Sequence, residues 1–192
     1  MPFRAGEPVA PATAEAHIRT WLARCVVGLN LCPFARPLLG SERLRIAICN
    51  ATQPDALRTV FLQELDLLQR CGEEEIATTL LAFPAALGDF HDYLDFLDEA
   101  QALLAEAGLE GVVQLASFHP RYLFAGEAAD APGHYSNRSP YPLIHLLREE
   151  SLTRALADGA DPEQIPARNI ATLEEIGVAA LERRWRDMFG DS

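Results

Sequence analysis

The sequence contains no lysine; all sixteen of its basic residues are arginines. That absence excludes a Schiff-base lysine, a pyridoxal-phosphate anchor and the lysines with which P-loop and kinase-type sites hold phosphate. Long apolar runs are also missing, none approaching the ~18 residues needed to cross a bilayer. The opening Met-Pro-Phe-Arg-Ala-Gly-Glu-Pro lacks the apolar centre of a secretory signal. A cytoplasmic protein that does not enter membranes is therefore expected. Basic charge is scarce: 28 acids against 16 arginines leave a formal charge of −12. Such a balance repels polyanions and argues against nucleic acid or an anionic membrane as partner. The four cysteines, Cys25, Cys32, Cys49 and Cys71, fit neither a zinc knuckle nor a CxxC redox pair, and disulfides are not implied. A GxGxxG dinucleotide fingerprint is absent too, which sets redox chemistry behind hydrolysis and group transfer.

What is present is an alternation of helical and strand patterns in a chain of 192 residues, a size at which one domain is the default. Residues 1–12 read as a loose arm and 13–192 as one α/β domain. Ile18, Trp21, Leu22, Cys25, Val26 and Leu29 recur at helical steps from an N-cap at Thr13 to an end near Asn30. Leu44 to Asn50, Ile76 to Phe83 and Val112 to Phe118 read as strands, separated by helices over Pro54 to Arg70 and from Asp89 to Gly108. This β-α-β-α-β order predicts a small, mainly parallel sheet of about three core strands, covered by helices, with extra N-terminal and C-terminal helices. Pro142 to Ala157 reads as helical, Asp158 to Asp161 as a break, and Pro166 to Phe189 as one long final helix. Its Ile170, Leu173, Ile176 and Leu181 should face the domain, while Trp185 and Phe189 look free to enter a partner subunit, so that a homodimer is possible.

Ligands of parallel sheets gather beyond the carboxyl ends of the strands. The third such end carries His119 and leads into an aperiodic loop, 119–139, of a length that is uncommon in a compact domain and often functional. From Ser117 to Arg148 the only acids are Glu127 and Asp130, while Arg121, Arg138, Arg148, His119, His134 and His145 all fall there. A small anionic molecule would be tolerated in such a segment. Asn137-Arg138-Ser139-Pro140 reads as a helix entrance, with Ser139 as cap and free N–H groups beside Arg138 for a phosphate or carboxylate. Asn137, Arg138, Ser139, Arg121 and His145 are therefore the candidate substrate-binding residues, and His119, with an ordinary pKa near 6.5, the candidate acid or base. His119, His134 and His145 would serve a metal-dependent version, and His145 with Glu149 stands at i, i+4 on the expected helix, although this spacing is unspecific. Cys32 is the candidate nucleophile if the fold brings it within ~3 Å of His119 or His145. At a helix C-terminus, where the macrodipole raises a thiol pKa, it would need a neighbouring arginine or histidine.

Four segments, Gly-Leu-Asn-Leu-Cys-Pro-Phe-Ala (28–35), Ser-Phe-His-Pro (117–120), Asn-Arg-Ser-Pro-Tyr-Pro (137–142) and Arg-Asn-Ile-Ala-Thr-Leu (168–173), occur together and in order. With them the chain resembles the bacterial and plant family known as domain of unknown function 1415, from about Thr13 to Gly177. The resemblance implies no activity, substrate or cofactor, but its hallmark segments hold Cys32, His119, Asn137 and Arg138. The expected function is that of a small-molecule enzyme, a hydrolase or group-transfer catalyst, acting on an anionic substrate at the pocket of the 119–139 loop. The alternative is a non-catalytic module that binds a small anion or assembles with a protein, and scattered rather than convergent Cys32, His119 and Arg138 would favour it.

Overall fold

A computed structural model describes residues 8–157 and 164–189. Among them are six α-helices and four strands in α/β order. Helix α1 (Pro11–Trp21) continues into a π-helical stretch, Leu22–Val27, and is followed by β1 (Leu44–Ile48), α2 (Pro54–Arg70), β2 (Thr78–Ala82), α3 (Phe90–Glu106) and β3 (Val113–Phe118). A 3₁₀ turn at Pro132–Ser136 leads to β4 (Leu143–Arg148), α4 (Glu149–Ala157), α5 (Gln164–Ile176) and α6 (Val178–Phe189). No helix among the described residues is long and apolar enough to cross a membrane.

The sheet order is β1-β2-β4-β3. β1 and β2 are parallel, while β4 is antiparallel to both β2 and β3. The three strands expected from the sequence exist and point the same way, but β4 lies between two of them, so the sheet is mixed and four-stranded rather than mainly parallel. β4 occupies the first part of the expected 142–157 helix. Leu143, Ile144, Leu146 and Leu147 sit at helix-compatible steps, but a short apolar run fits either structure, and a slot between β2 and β3 that buries both faces decides for the strand.

Strand alternation divides the core in two. Leu44, Leu80, Ala82 and Leu143 point to the face covered by α1, the π-helical stretch, α5 and α6. Ala47, Leu81, Phe83, Leu115, Ile144 and Leu146 point to the face covered by α2 and α3. Thr79 falls on this second face with its hydroxyl buried and unpartnered. A buried hydroxyl without a partner forfeits its hydration, so the isosteric Thr79→Val should stabilise the fold by about 1 kcal/mol, read as a raised urea midpoint at constant m.

The helix ends follow local chemistry. Asp89 caps α3 by accepting the His91 N–H at 2.8 Å. The first helical segment closes in a Schellman motif: Asn30 takes a positive φ of 54°, its N–H reaches Val27 O, and the Leu31 N–H reaches Val26 O. The expected single final helix is two, because Gly177 turns left-handed at φ 73° between α5 and α6. That break folds α6 back, and Trp185 is buried in its own chain against Tyr135 and Phe189. Its ring is therefore not free to enter a partner subunit, contrary to expectation. Ile170, expected in the core, is 43% exposed, while Leu173 and Leu181 are buried as expected. Of the expected N-terminal arm, residues 1–7 lie outside the described residues, as does the 158–161 break. Val9 is held by Asn50, which donates from Nδ2 to Val9 O at 2.8 Å and accepts the Val9 N–H at 3.4 Å; α1 already begins at Pro11.

Candidate functional site

The residues expected to form one site are spread over three places. His119, at the carboxyl end of β3, is fully buried with both ring nitrogens engaged: Nδ1 accepts the Arg121 N–H at 3.0 Å, and Nε2–H donates to Leu87 O at 3.0 Å. Burial, first, and then the nearby Arg121 hold its pKa down at about 4, against the Leu87 bond and Asp89. This imidazole organises backbone. Arg121 does the same, donating to Gly88 O and standing 3.7 Å from Asp89. His134 repeats the arrangement, taking the Phe124 N–H on Nδ1 and giving Nε2–H to Ala128 O.

No helix begins after Ser139, because β4 starts at Leu143, and the expected anion site at a helix start has no helix to build it. Ser139 is fully buried and donates to Tyr141 O at 2.6 Å. Asn137 fastens the loop to β3, its Nδ2 donating to Ser117 O and its carbonyl accepting the His119 N–H. Arg138 lays its guanidinium over the Tyr135 ring, 4.4 Å from the centroid, with Nε buried and unpartnered. The 119–139 loop does line a hollow of about 600 Å³ against α5, with Phe124, Glu127, His134, Asn137, Asn169 and Glu174 in its wall. Neither His119, Arg138 nor Cys32 lines it, and the nitrogens of its histidine are already spent on backbone.

Cys32 and His145, in contrast, line one cavity of about 210 Å³. It lies between the first face of the sheet and the segment that the Schellman motif at Asn30 turns back over that face. The register explains its floor: Leu44, Thr78 and Leu147 form one cross-strand row, and Leu80, His145 and Ala116 the row two residues on. Since Leu44 and Thr78 open their strands, the cavity sits toward the amino ends of the parallel strands, away from the carboxyl ends where a ligand was expected. Trp21, Leu22 and Val26 form its helical wall, and Phe34, Ala35, Leu38 and Leu39 its lid. The hallmark Arg168 and Asn169 hold this lid from α5, donating to Asn30 O and Leu31 O at 2.9 and 2.8 Å.

The i, i+4 pairing of His145 with Glu149 on a helix does not occur, since His145 is on β4 and α4 starts at Glu149. Its Nε2 lies 2.7 Å from the hydroxyl of Thr78, which in turn donates to Leu146 O at 2.7 Å. Burial lowers the His145 pKa to about 4, so the ring is neutral near pH 7. Burial also pushes the Cys32 thiol above its ordinary 9.0, against the lowering influence of the Phe34 and Ala35 N–H groups and of Arg168. The two side chains share the cavity without a hydrogen bond between them, so Cys32 is a neutral thiol with no base in contact. Among the described residues no group of three His, Cys, Asp or Glu side chains stands close enough to hold a metal ion. Sequence reasoning missed Trp21, Thr78, Phe34 and Leu39 as cavity residues; the one usable signal was a pair of threonines opening an otherwise apolar buried strand.

No curated protein and no solved structure matches this chain. The model of the family described as a protein of unknown function (DUF1415) matches residues 13–183, which contain the lid segment, the loop from 117 to 142 and the α5 residues that hold the lid. The chain belongs to that family.

Proposed function

We propose that this chain is a binding protein for a small, uncharged, largely apolar molecule held between the sheet and the 32–39 lid. The observation that carries this reading is the cavity of about 210 Å³, walled by Trp21, Val26, Leu39, Leu80 and Phe118, with two polar side chains, Cys32 and His145, left with hydrogen-bonding capacity toward it. For scale, an apolar cavity of roughly 150 Å³ in another protein stays dry and takes up benzene. The anionic ligand expected from sequence is disfavoured here, since no arginine is among the lining residues and the one imidazole is neutral. Scattered Cys32, His119 and Arg138 likewise favour a binding module over a catalyst. Indene, an apolar bicycle without a hydrogen-bond donor, should raise the melting temperature in a concentration-dependent way. Ala116→Leu, which adds volume on the cavity floor, should remove that response. An unchanged melting temperature at saturating indene would contradict the reading.

One observation favours catalysis as a second reading: Cys32 shares its cavity with a histidine, and the Phe34 and Ala35 N–H groups and Arg168 act to lower its pKa against the effect of burial. The readings separate on thiol reactivity. For a binding protein, native Cys32 should alkylate with iodoacetamide more slowly than a free thiol at pH 7, because burial holds its pKa above the ordinary value. Alkylation at pH 7 faster than a free thiol would establish an activated nucleophile instead.

A further inference from the structure

The hydrogen-bond chain behind His145 fixes which of its nitrogens carries the proton. Thr78 has a single hydroxyl proton and two partners at 2.7 Å, the Leu146 carbonyl and His145 Nε2. A carbonyl can only accept, so the hydroxyl proton belongs to Leu146 O; placing it on His145 instead would set two lone-pair-bearing oxygens against each other at 2.7 Å. The hydroxyl oxygen must then accept from Nε2–H, and in a neutral ring Nδ1 is left unprotonated. Nδ1 has no hydrogen-bond partner among the described residues, and it belongs to a residue that lines the cavity. A thiol sulfur is only a weak acceptor, which leaves His145 Nδ1 as the strongest free acceptor among the otherwise largely apolar residues that line the cavity. A ligand without a donor would leave that acceptor dry and unpaired, and a carboxylate would meet a lone pair with its own negative charge.

We propose that the cavity selects a neutral, compact, apolar molecule bearing one O–H or N–H donor, which it binds through Nδ1 of His145. This rests on the reading of the cavity as a ligand site and adds the class of ligand. Thr78 is the positioning residue, holding the ring tautomer from the sheet. Selectivity follows from the cost of an unpaired buried acceptor, and amounts to about tenfold in affinity between a donor-bearing molecule and its donor-free isostere.

Indole and indene are such a pair, one with an N–H and one without. Calorimetric titration of the wild-type protein should give indole binding about tenfold tighter than indene, with indole-3-carboxylate weaker than indole. In His145→Phe the indole preference should collapse to near unity while indene binding persists. Equal affinities of indole and indene for the wild type, or tighter binding of the carboxylate, would overturn the donor requirement and leave the cavity reading standing. Failure of both neutral probes would remove the cavity reading and the inference with it. Nitrogen-15 spectra of histidine-labelled wild type give a check free of any variant: His145 should be protonated on Nε2, and a proton on Nδ1 would overturn the proposal.

Discussion

Lowering the pH from 7 to 4 should cost the folded chain about 3 kcal/mol for each of His119 and His145. Both have folded pKa values near 4 against an ordinary 6.5, and a tenfold change in proton affinity corresponds to about 1.36 kcal/mol. The sign follows from proton uptake. The unfolded chain takes up protons on these rings as pH falls through 6.5 while the folded chain does not, so the stability they contribute is fully present above 6.5 and lost progressively down to 4. Protonating His119 would turn Nδ1 into a donor facing the Arg121 N–H, and protonating His145 would bury a charge against apolar side chains. His17, whose pKa burial also lowers, adds in the same direction. The carboxylates whose pKa values are held below their usual range, Glu73 and Asp89, begin to matter only below pH 4.5, so the window belongs to the imidazoles. Urea midpoints at half-unit steps should fall steeply between about pH 6.5 and 4.5. In His119→Gln, whose carboxamide offers a donor and an acceptor but does not titrate, the slope should be markedly shallower. A flat wild-type profile across that window would contradict the burial assigned to both rings.

Arg148→Met should destabilise the protein by about 3 kcal/mol without touching the cavity. From the end of β4, the Arg148 guanidinium donates to Ile76 O at 3.1 Å, Leu68 O at 2.6 Å and Cys71 O at 2.7 Å. Leu68 and Cys71 lie at the end of α2, where carbonyls lack intrahelical partners and a positive charge complements the negative pole of the helix. Hydrogen bonds to a charged group are worth about 1.5 to 3 kcal/mol each, partly replaced by water once the arginine is gone. Methionine keeps the apolar stem, so the measured loss reports the clamp rather than the packing. Arg148→Lys should recover only part of it, because an ammonium lacks the planar fork that reaches three carbonyls at once. Denaturation midpoints measure both variants; a loss below about 1 kcal/mol in Arg148→Met would show that water replaces the clamp.

The same arginine shows why the site was less legible than the fold. The strands at 44–48, 78–82 and 113–118 and the helices between them follow from periodicity and caps such as Asp89, which are local signals. β4 was hidden because Leu143, Ile144, Leu146 and Leu147 satisfy a helical period as well as a doubly buried strand, and only the gap between β2 and β3 decides. Reading Pro140 as a helix start followed from that error, and that helix start was one of three supports for an anion site, beside the strand-end position of His119 and the shortage of acids from 117 to 148. Three arginines of the acid-poor stretch from 117 to 148 are engaged by the chain itself: Arg121 and Arg148 donate to backbone carbonyls, and Arg138 stacks on Tyr135. A single sequence does not distinguish a cation held for a ligand from one holding the chain's own carbonyls. Cys32 and His145 were both legible as unusual, but their meeting depends on the Schellman turn at Asn30 and on the β2–β4 register, which are relations between distant residues.

Entry of ligand between the sheet and the 32–39 lid can be read from methyl NMR of the wild-type protein titrated with indole. With ligand in that place, the largest chemical-shift changes should fall on the methyl groups of Leu22, Val26, Leu39, Leu44 and Leu80, which line the cavity. Changes centred instead on Ala125, Ile165 and Ile170, which line the hollow beside the 119–139 loop, would contradict it, as would no change at saturating indole.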